Sequence, residues 1–352
     1  MNNQDSKRQD SKRNGCRMGC LGLIVLALIV LGTIGAVAVV TIAFVSDGVS
    51  DLKKSAIRHH GRNSGEMGVD EAPSLVEVWS SGSGDTKVAR IRLHGMIMFD
   101  NSGFLAERDS ASAALRAIKL ATASHDIRGI ILDIDSGGGG ITASDIIYKA
   151  VHDFKEACEG RVVVAHFGDV AASGAYYVAL AADKIVAHPT SLTGSIGVIM
   201  QSYNIRELAA KLGITDVTIK SGTNKDLLNP FHEVSEQQKQ MLQEVVDALH
   251  GRFVTLVAKE RNLSEEQVRS LADGRVMLAQ SALASGLIDQ IGYSDYVEKL
   301  MAELLEVESV QVIRYEEPSG LLDLLRRRPR FGFNFNALEE AGRARFLYES
   351  GL

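Results

Sequence analysis

The sequence predicts an α/β protein built on a parallel sheet, with a helical region after the sheet and one membrane-spanning helix before it. Three observations support this prediction. Short apolar runs alternate with amphipathic helical stretches from residue 87 to residue 220, as expected for parallel strands joined by crossover helices. Residues 233–306 have mostly helical periodicity, and residues 19–46 contain no charged side chain.

The composition favours a packed protein that does not bind nucleic acid. The chain has 352 residues, 45% hydrophobic content and a net charge of −6, whereas a phosphate-binding protein usually has a basic face. Its three cysteines, Cys16, Cys20 and Cys158, are odd in number and lack metal-ligand spacing. The sequence therefore indicates neither a disulfide framework nor a zinc site, and we expect no cofactor.

The apolar run at 19–46 predicts how the chain is placed relative to the cell membrane. A helix needs about 20 apolar residues to cross the hydrocarbon layer, and this run is longer. A basic flank stays in the cytoplasm, and the residues before the run include Lys7, Arg8, Lys12, Arg13 and Arg17. We expect a basic cytoplasmic segment at 1–18, a single-pass cell-membrane anchor at 19–46 and an extracytoplasmic remainder. The alternative is a cleaved secretory signal, with the small residues at 36–38 as the processing site.

The elements follow in chain order. Residues 47–85 are rich in Ser, Gly and charge and predict a juxtamembrane linker, although LVEVW at 75–79 has the composition of a strand. Apolar runs predict strands at 87–97, 128–135, 161–167, 183–188, 216–220 and 309–315. Helical spacing predicts helices at 109–123, 142–157 (capped by Thr142), 173–182 and 204–213 (ended by Gly213). The tail, 316–352, is either a loose surface extension or an occupant of a groove on the same molecule.

Two of the predicted strands end in turns that contain candidate catalytic residues. Gly137–Gly140 follow the strand at 128–135 and precede a helix, and Ser173 follows the strand at 161–167 between small residues. Ligands of parallel sheets bind beyond the carboxyl ends of the strands, and glycines there leave backbone N–H groups free to face an anion. A dinucleotide site would need spaced glycines rather than a contiguous block. A serine hydroxyl facing amide donors is instead the arrangement that acyl transfer requires.

The serine needs a base, and the sequence offers three candidates. His166 and His188 fall in or beside apolar strands, where packed histidines are common. Lys225 lies in a loop that also contains LLNPF at 227–231. A lysine amine acts as a base only where burial lowers its pKa from about 10.4 towards neutrality, and these apolar residues are able to supply such a wall.

Four separated motifs resemble the bacterial signal peptide peptidase A family of membrane-anchored Ser–Lys endopeptidases. They are LDIDSGGGGITASDIIY, AASGAYYVALAADKIVAHPTSLTGSIGVIM, IKSGTNKDLLNP and DGRVMLAQSALASGLIDQIG, and they occur in the family's order within residues 86–315. Asp135 and Gly137 stand where the family usually has Asn and Pro. The resemblance implies a Ser–Lys peptidase domain at 86–315 with a Clp/crotonase-like ββα superhelix. Clp protease takes its histidine base from a position that is Val198 here, so the resemblance to Clp does not extend to a Ser–His–Asp triad.

The resemblance also implies the roles of individual residues. Ser173 corresponds to the nucleophile, Lys225 to the general base and Ser195 to a serine that orients the lysine. The backbone N–H groups of Gly139 and Gly174 would form the oxyanion hole, with Gly138 as a substitute for Gly139. The implied function is the degradation of cleaved signal peptides and other short apolar or unfolded peptides by a homo-oligomer at the lipid bilayer.

Two other functions remain compatible with the sequence. A crotonase-like acyl-CoA enzyme uses the same oxyanion geometry without a nucleophile, although CoA is scarce outside the cytoplasm. A catalytically inactive, membrane-tethered scaffold would bind peptides without cleaving them. Labelling by a serine-reactive fluorophosphonate distinguishes these functions from that of a peptidase.

Overall fold

The computed structural model describes residues 75–99, 110–316 and 346–349. The strands are β1 (Val76–Ser81), β2 (Thr86–His94), β3 (Ile127–Ser136), β4 (Gly138–Gly140), β5 (Val162–Ala172), β6 (Lys184–Ala187), β7 (Leu192–Gly194), β8 (Ile199–Met200), β9 (Val276–Leu278), β10 (Gln290–Ile291), β11 (Val310–Glu316) and β12 (Phe346–Glu349). The helices are α1 (Ser110–Ala123), α2 (Ile141–Glu156), α3 (Gly174–Ala179), α4 (Arg206–Lys211), α5 (Glu236–Arg261), α6 (Glu265–Leu271), α7 (Ala279–Ala284) and α8 (Ser294–Leu304).

Nine of the described strands form one sheet, in which most neighbours are parallel. Its order is β1-β11-β2-β3-β5-β6-β10, and β7 pairs with both β5 and β9. Only the β1–β11 and β7–β9 pairs within this described sheet are antiparallel. The predicted α/β architecture with a parallel-rich sheet is therefore confirmed.

Both faces of the sheet are covered because its central strands are apolar on both sides. Ile130, Leu132 and Ile134 of β3 pack in the larger core cluster with α1, α2, α3 and α5. Ile131 lies on the other face, in a cluster with Val297 and Met301 of α8. Burying an aliphatic side chain of this size contributes roughly 1.5–3 kcal/mol, so these strands anchor the fold.

The helical region predicted after the sheet is present, and its helix boundaries follow local chemistry. Ser235 and Gln238 form a capping box at the start of α5, and Asn262 ends that helix in the left-handed conformation. A second capping box, of Ser264 and Gln267, begins α6. Each box satisfies amide groups that a helix start would otherwise leave unpaired.

Two local predictions are wrong. Residues 216–220 do not form a strand, and Val217 and Ile219 are 82% and 97% exposed. Their alternating pattern suits a strand, but no neighbouring strand of the described chain pairs with it. The helix predicted to be capped by Thr142 begins instead at Ile141 with Gly140 as its N-cap, without a side-chain capping bond, because the helix follows directly from β4.

Two described strands lie outside the region predicted for the peptidase domain, 86–315. Strand β1 lies in the segment predicted as a linker, confirms the strand indicated there at 75–79, and pairs antiparallel with β11. Strand β12 lies in the segment predicted as a tail and forms a second sheet of order β4-β12-β8. The predicted anchor at 19–46 lies outside the described residues. Among the helices that the structure describes, none is long and apolar enough to span a bilayer.

Candidate active site

Ser173 occupies a strained turn between β5 and α3. It is the N-cap of α3 with φ 54° and ψ −118°, a backbone region that residues other than glycine rarely adopt. Its N–H donates to the carbonyl of Gly194 at 2.8 Å, which helps to hold this conformation. Strain of this kind is typical of nucleophiles presented on a sharp turn from strand to helix.

The Ser173 hydroxyl is buried and has no hydrogen-bond partner within the described part of the chain. The flanking residues Ala171, Ala172, Gly174 and Ala175 are also buried, and their small size allows other backbone segments to approach closely. A buried hydroxyl without a partner is costly in a folded protein. Such an exception makes the Ser173 hydroxyl a candidate functional group.

The predicted glycine turn forms β4 and lies against Ile97. The N–H of Ile97 donates to the Gly138 carbonyl at 2.9 Å, and the N–H of Gly140 donates to the Ile97 carbonyl at 2.7 Å. The backbone N–H and C=O groups of successive residues in a strand face opposite edges, so the N–H of Gly139 points away from Ile97 and towards β12, where Tyr348 lies opposite it. A Cβ atom on Gly139 would lie 2.2 Å from the Ile97 carbonyl oxygen, and φ there is 158°. Only glycine therefore fits at position 139.

Both glycine amides of the turn have neighbours in the described chain. The N–H of Gly138 donates to the Ser136 hydroxyl at 3.1 Å, and the N–H of Gly139 faces the edge of β4 with which β12 pairs. Gly174 is the first residue of α3, and the leading N–H groups of a helix have no partner inside it. Helix α3 also contacts β4. The structure thus brings the predicted donors, Gly139 and Gly174, to neighbouring elements.

Asp135, one of the two departures from the family's pattern, connects the two turns. Its carboxylate accepts a hydrogen bond from the N–H of Val170 at 3.1 Å, near the end of the strand that leads to Ser173. Its carbonyl accepts from the N–H of Gly95 at 2.9 Å. An acidic side chain at this position is therefore compatible with a fixed glycine turn.

Ser195, which the resemblance assigns to orienting the lysine, lies beside Ser173. Residues Ala172 and Gly194 are register partners in the parallel pair of β5 and β7, so the residues that follow them, Ser173 and Ser195, are neighbours. Ser195 has φ 50° and is 5% exposed, and its N–H donates to the Arg275 carbonyl at 2.8 Å. It lines a cavity of about 460 Å³ together with Gly197, Asp247, His250 and Asp273.

Lys225 does not reach Ser173 within one chain. It lies in an exposed turn, where its N–H donates to the Gly222 carbonyl at 3.2 Å. The next residue, Asp226, is bound by Lys220 at 2.6 Å and by His232 at 3.2 Å. These ion pairs fix the backbone on the carboxyl side of Lys225, while the lysine itself faces solvent.

The two histidines near Ser173 in sequence have other neighbours, although the Nε2 atom of His166 is buried without a hydrogen-bond partner in the described chain. His166 lies 3.7 Å from a carboxylate oxygen of Asp133. Burial raises the pKa of Asp133, but the neighbouring His166 and His94 together lower it further, so the net pKa lies below the usual value. His188 contacts the Thr190 hydroxyl at 2.8 Å and packs edge-on against Tyr293. Neither histidine pairs with the serine, as the sequence interpretation expected.

A strand of the chain itself lies next to the site. Strand β12 pairs antiparallel with β4, with Tyr348 opposite Gly139, and antiparallel with β8, with Leu347 opposite Ile199. It also approaches α3. Residues 346–349 of the tail therefore fit the second interpretation, in which the tail occupies a groove on the same molecule. Composition alone did not single out residues 346–349, because the sequence does not reveal which strand edges are open.

A parallel α/β sheet with a buried serine at its carboxyl edge, near a glycine turn, is an arrangement that suits an α/β serine hydrolase. The model of peptidase family S49 matches residues 155–308 of the chain. A protein of Enterococcus faecium that carries the name signal peptide peptidase SppA is 35% identical over 242 residues, covering 68% of this chain and 70% of that protein. The chain belongs to peptidase family S49, the signal peptide peptidase A family, and is a serine peptidase.

Two further comparisons give its wider relationships. The chloroplastic serine protease SPPA of Arabidopsis thaliana is 32% identical over 262 residues, which cover 72% of this chain and 38% of that protein. The solved structure of a ClpP1 point mutant from Listeria monocytogenes aligns with a TM-score of 0.38 and 19% identity, over 58% of this chain and 92% of that one. The finer assignment to a Clp/crotonase-like superhelix stays a prediction.

Proposed function

We propose that this chain is a membrane-anchored endopeptidase in which Ser173 and Lys225 form the catalytic dyad. The observation that carries this proposal is the strained, buried turn at Ser173, whose hydroxyl lacks a partner in the described chain and lies near the glycine turn. A residue that only packs would not require φ 54° or a buried unpaired oxygen. Both features suit a nucleophile that meets its reaction partners during turnover.

The proposed reaction is acyl transfer in two stages. The neutral amine of Lys225 removes the hydroxyl proton as the Ser173 oxygen attacks the peptide carbonyl carbon, and the carbonyl π electrons move onto oxygen. The tetrahedral intermediate collapses, the C–N bond breaks, and the protonated lysine gives its proton to the leaving amine. Water, deprotonated by the same amine, then hydrolyses the serine ester and restores the free hydroxyl.

The oxyanion would be bound by the N–H groups of Gly139 and Gly174. The Gly138 amide donates to Ser136, whereas the Gly139 amide faces β12 and would become available to an oxyanion when a substrate replaces that strand. Preorganised amides at such a position require no rearrangement when charge develops, and losing one donor costs about 10²–10³ in kcat. Ser195 would accept a hydrogen bond from the lysine amine and orient it.

We infer that Lys225 completes the dyad of a second copy of the chain. In one chain it is exposed, but a neutral amine requires removal from water. The surface around its loop is unusually apolar for a monomer: Leu208, Leu212, Ile214, Val217 and Ile219 are all more than half exposed. Burying this surface against another copy would also desolvate Lys225, while the cavity beside Ser195 has room for an incoming side chain.

Extended, apolar peptides are the proposed substrates. Strand β12 supports this proposal, because it demonstrates that an extended segment fits between β4 and β8 beside the glycine turn. Main-chain pairing of this kind accepts many sequences. The charge-free run at 19–46 would hold the site, outside the cytoplasm, near signal peptides released in the bilayer.

The test is cleavage of an unstructured fluorogenic peptide by four single-residue variants. Ser173→Ala and Lys225→Ala should each abolish cleavage, because they remove the nucleophile and the base. His166→Ala and His188→Ala should retain it, since neither histidine contacts the serine. Loss of activity in a histidine variant together with full activity of Lys225→Ala would overturn the assignment.

A further inference from the structure

We propose that Asp145 and Tyr177 are positioning residues that hold the two halves of the oxyanion hole in register. This inference rests on the proposed function, because it assumes that Gly139 and Gly174 bind the oxyanion. It concerns side chains that take no part in the reaction itself. They act through the helices that carry the two amides.

One hydrogen bond joins the two helices that begin at the active site. Helix α2, which contains Asp145, continues directly from the glycine turn. Helix α3, which contains Tyr177, begins at Gly174 directly after the nucleophile. The Tyr177 hydroxyl donates to a carboxylate oxygen of Asp145 at 2.5 Å, and Tyr177 is only 1% exposed. A buried hydroxyl so close to a carboxylate fixes the spacing of these helices.

The charges around this bond keep it intact at neutral pH. Burial raises the pKa of Asp145, but hydrogen bonds from Tyr177 and Arg252 lower it further, so the carboxyl stays ionised. Burial and the bond to Asp145 raise the pKa of Tyr177 to about 12, so its hydroxyl remains a donor. Arg252 of α5 contacts the same carboxylate oxygen at 2.7 Å from the solvent side. It thereby attaches a third helix to the pair.

Tyr176, the second tyrosine of α3, connects the helix to a different part of the protein. Tyr176 donates its hydroxyl to the Leu287 carbonyl at 2.8 Å and is fully buried, so it fixes α3 to the segment after α7. The connection from α3 to the glycine-turn side is supplied by Tyr177. We expect α3 to stay folded when that bond is lost, because the helix is fully buried, but to settle in a slightly different position relative to α2. A misplacement of about 1 Å at a reacting group can cost about 10²-fold in rate.

The same cluster contains a matched control. Tyr148 of α2 donates its hydroxyl to Glu260 of α5 at 2.9 Å, and its ring packs edge-on against Tyr177 with centroids 5.6 Å apart. This is again a tyrosine–carboxylate bond in the same packing environment. Its hydrogen bond joins α2 to α5 rather than α2 to α3, and Tyr148→Phe retains the ring that packs against Tyr177.

The experiment compares Tyr177→Phe, Asp145→Ala, Asp145→Asn and Tyr148→Phe in the full-length oligomer. For each variant, kcat and KM are measured on the fluorogenic peptide. Inhibition constants are measured for a peptide aldehyde, whose adduct with Ser173 places an oxyanion in the hole, and for the matching peptide alcohol, which forms no adduct. Their ratio reports on the oxyanion hole separately from the groove.

We expect Tyr177→Phe and Asp145→Ala to lower kcat by about 5- to 30-fold, which is less than the loss expected when one oxyanion donor is removed. The ratio of the alcohol inhibition constant to the aldehyde inhibition constant should fall by the same factor. The KM value and alcohol binding should not change. Asp145→Asn retains an acceptor oxygen and should recover part of the loss, while Tyr148→Phe should match the wild type. Because Tyr177 and Asp145 are changed separately, a folding defect in one variant leaves the other as the test.

The inference is overturned if Tyr177→Phe and Asp145→Ala keep the wild-type ratio, or if Tyr148→Phe loses as much. These outcomes are distinct from failure of the proposed function. That failure would appear as peptide cleavage or aldehyde inhibition that survives Ser173→Ala.

Discussion

Replacing Gly139 with alanine should disable the oxyanion hole while leaving the fold in place. The new Cβ atom would lie 2.2 Å from the Ile97 carbonyl oxygen and 2.7 Å from its carbonyl carbon. Real Cβ atoms rarely approach backbone atoms closer than about 3.4 Å, so the short strand β4 must move by about 1 Å to relieve the contact. The N–H of Gly139 would move with it.

The size of the effect follows from that displacement. A reacting or stabilising group misplaced by about 1 Å costs about 10²-fold in rate, within the range for losing one oxyanion donor. We therefore expect kcat of Gly139→Ala to fall by about 30- to 300-fold. The matched control is Gly140→Ala, because a Cβ there meets its nearest atoms at 3.6 and 3.7 Å and the backbone, at φ −61° and ψ 131°, accepts any residue.

The assay is steady-state cleavage of a fluorogenic peptide, with fluorophosphonate labelling of Ser173 as a second readout and thermal unfolding as a check on folding. Both kcat and the labelling rate should fall in Gly139→Ala and stay near wild type in Gly140→Ala. A folded Gly139→Ala variant with wild-type kcat would refute the role of this amide.

Three other predictions test separate features. Truncation after residue 345, which removes β12, should lower KM by about tenfold at constant kcat if the strand fills the groove about nine-tenths of the time; an unchanged KM contradicts this. Mixed oligomers of the inactive Ser173→Ala and Lys225→Ala variants should regain activity at about one quarter of the sites by random pairing, whereas a dyad within one chain gives none. The folded-state pKa of Asp145 is lowered, so its stabilising contribution is complete above about pH 4 and is lost as the pH falls further. The difference in unfolding free energy between wild type and Asp145→Asn, measured in urea from about pH 6 to about pH 2, should therefore shrink below about pH 4, and a constant difference would contradict the assignment.

The central sheet and the serine turn could be predicted because their signals are local. The centre of the strand Ile127–Ser136, at Ile130, Ile131 and Leu132, is apolar on both faces, which is typical of a buried parallel strand. The small residues around Ser173 and the glycine block also mark their turns directly in the sequence. The sequence therefore predicts which strand ends carry chemistry and that they lie at one edge of the sheet.

The remaining features depend on contacts between distant parts of the chain. Three glycines form β4 only because Ile97 and β12 pair with them, which glycine composition alone does not indicate. The stretch at 216–220 has the alternation of a strand but no partner in the described chain. Tyr177 looks like a core aromatic in sequence, and its bond to Asp145 spans 32 positions.

The most direct test of the mechanism is to map, by peptide mass spectrometry, the site of fluorophosphonate modification in the wild type and in Lys225→Ala. Lys211→Ala, which changes an exposed lysine of α4, is the control. We predict modification at Ser173 in the wild type and in Lys211→Ala, and its loss in Lys225→Ala. Modification at another residue, or an unchanged rate of Ser173 labelling without Lys225, would contradict the proposed dyad.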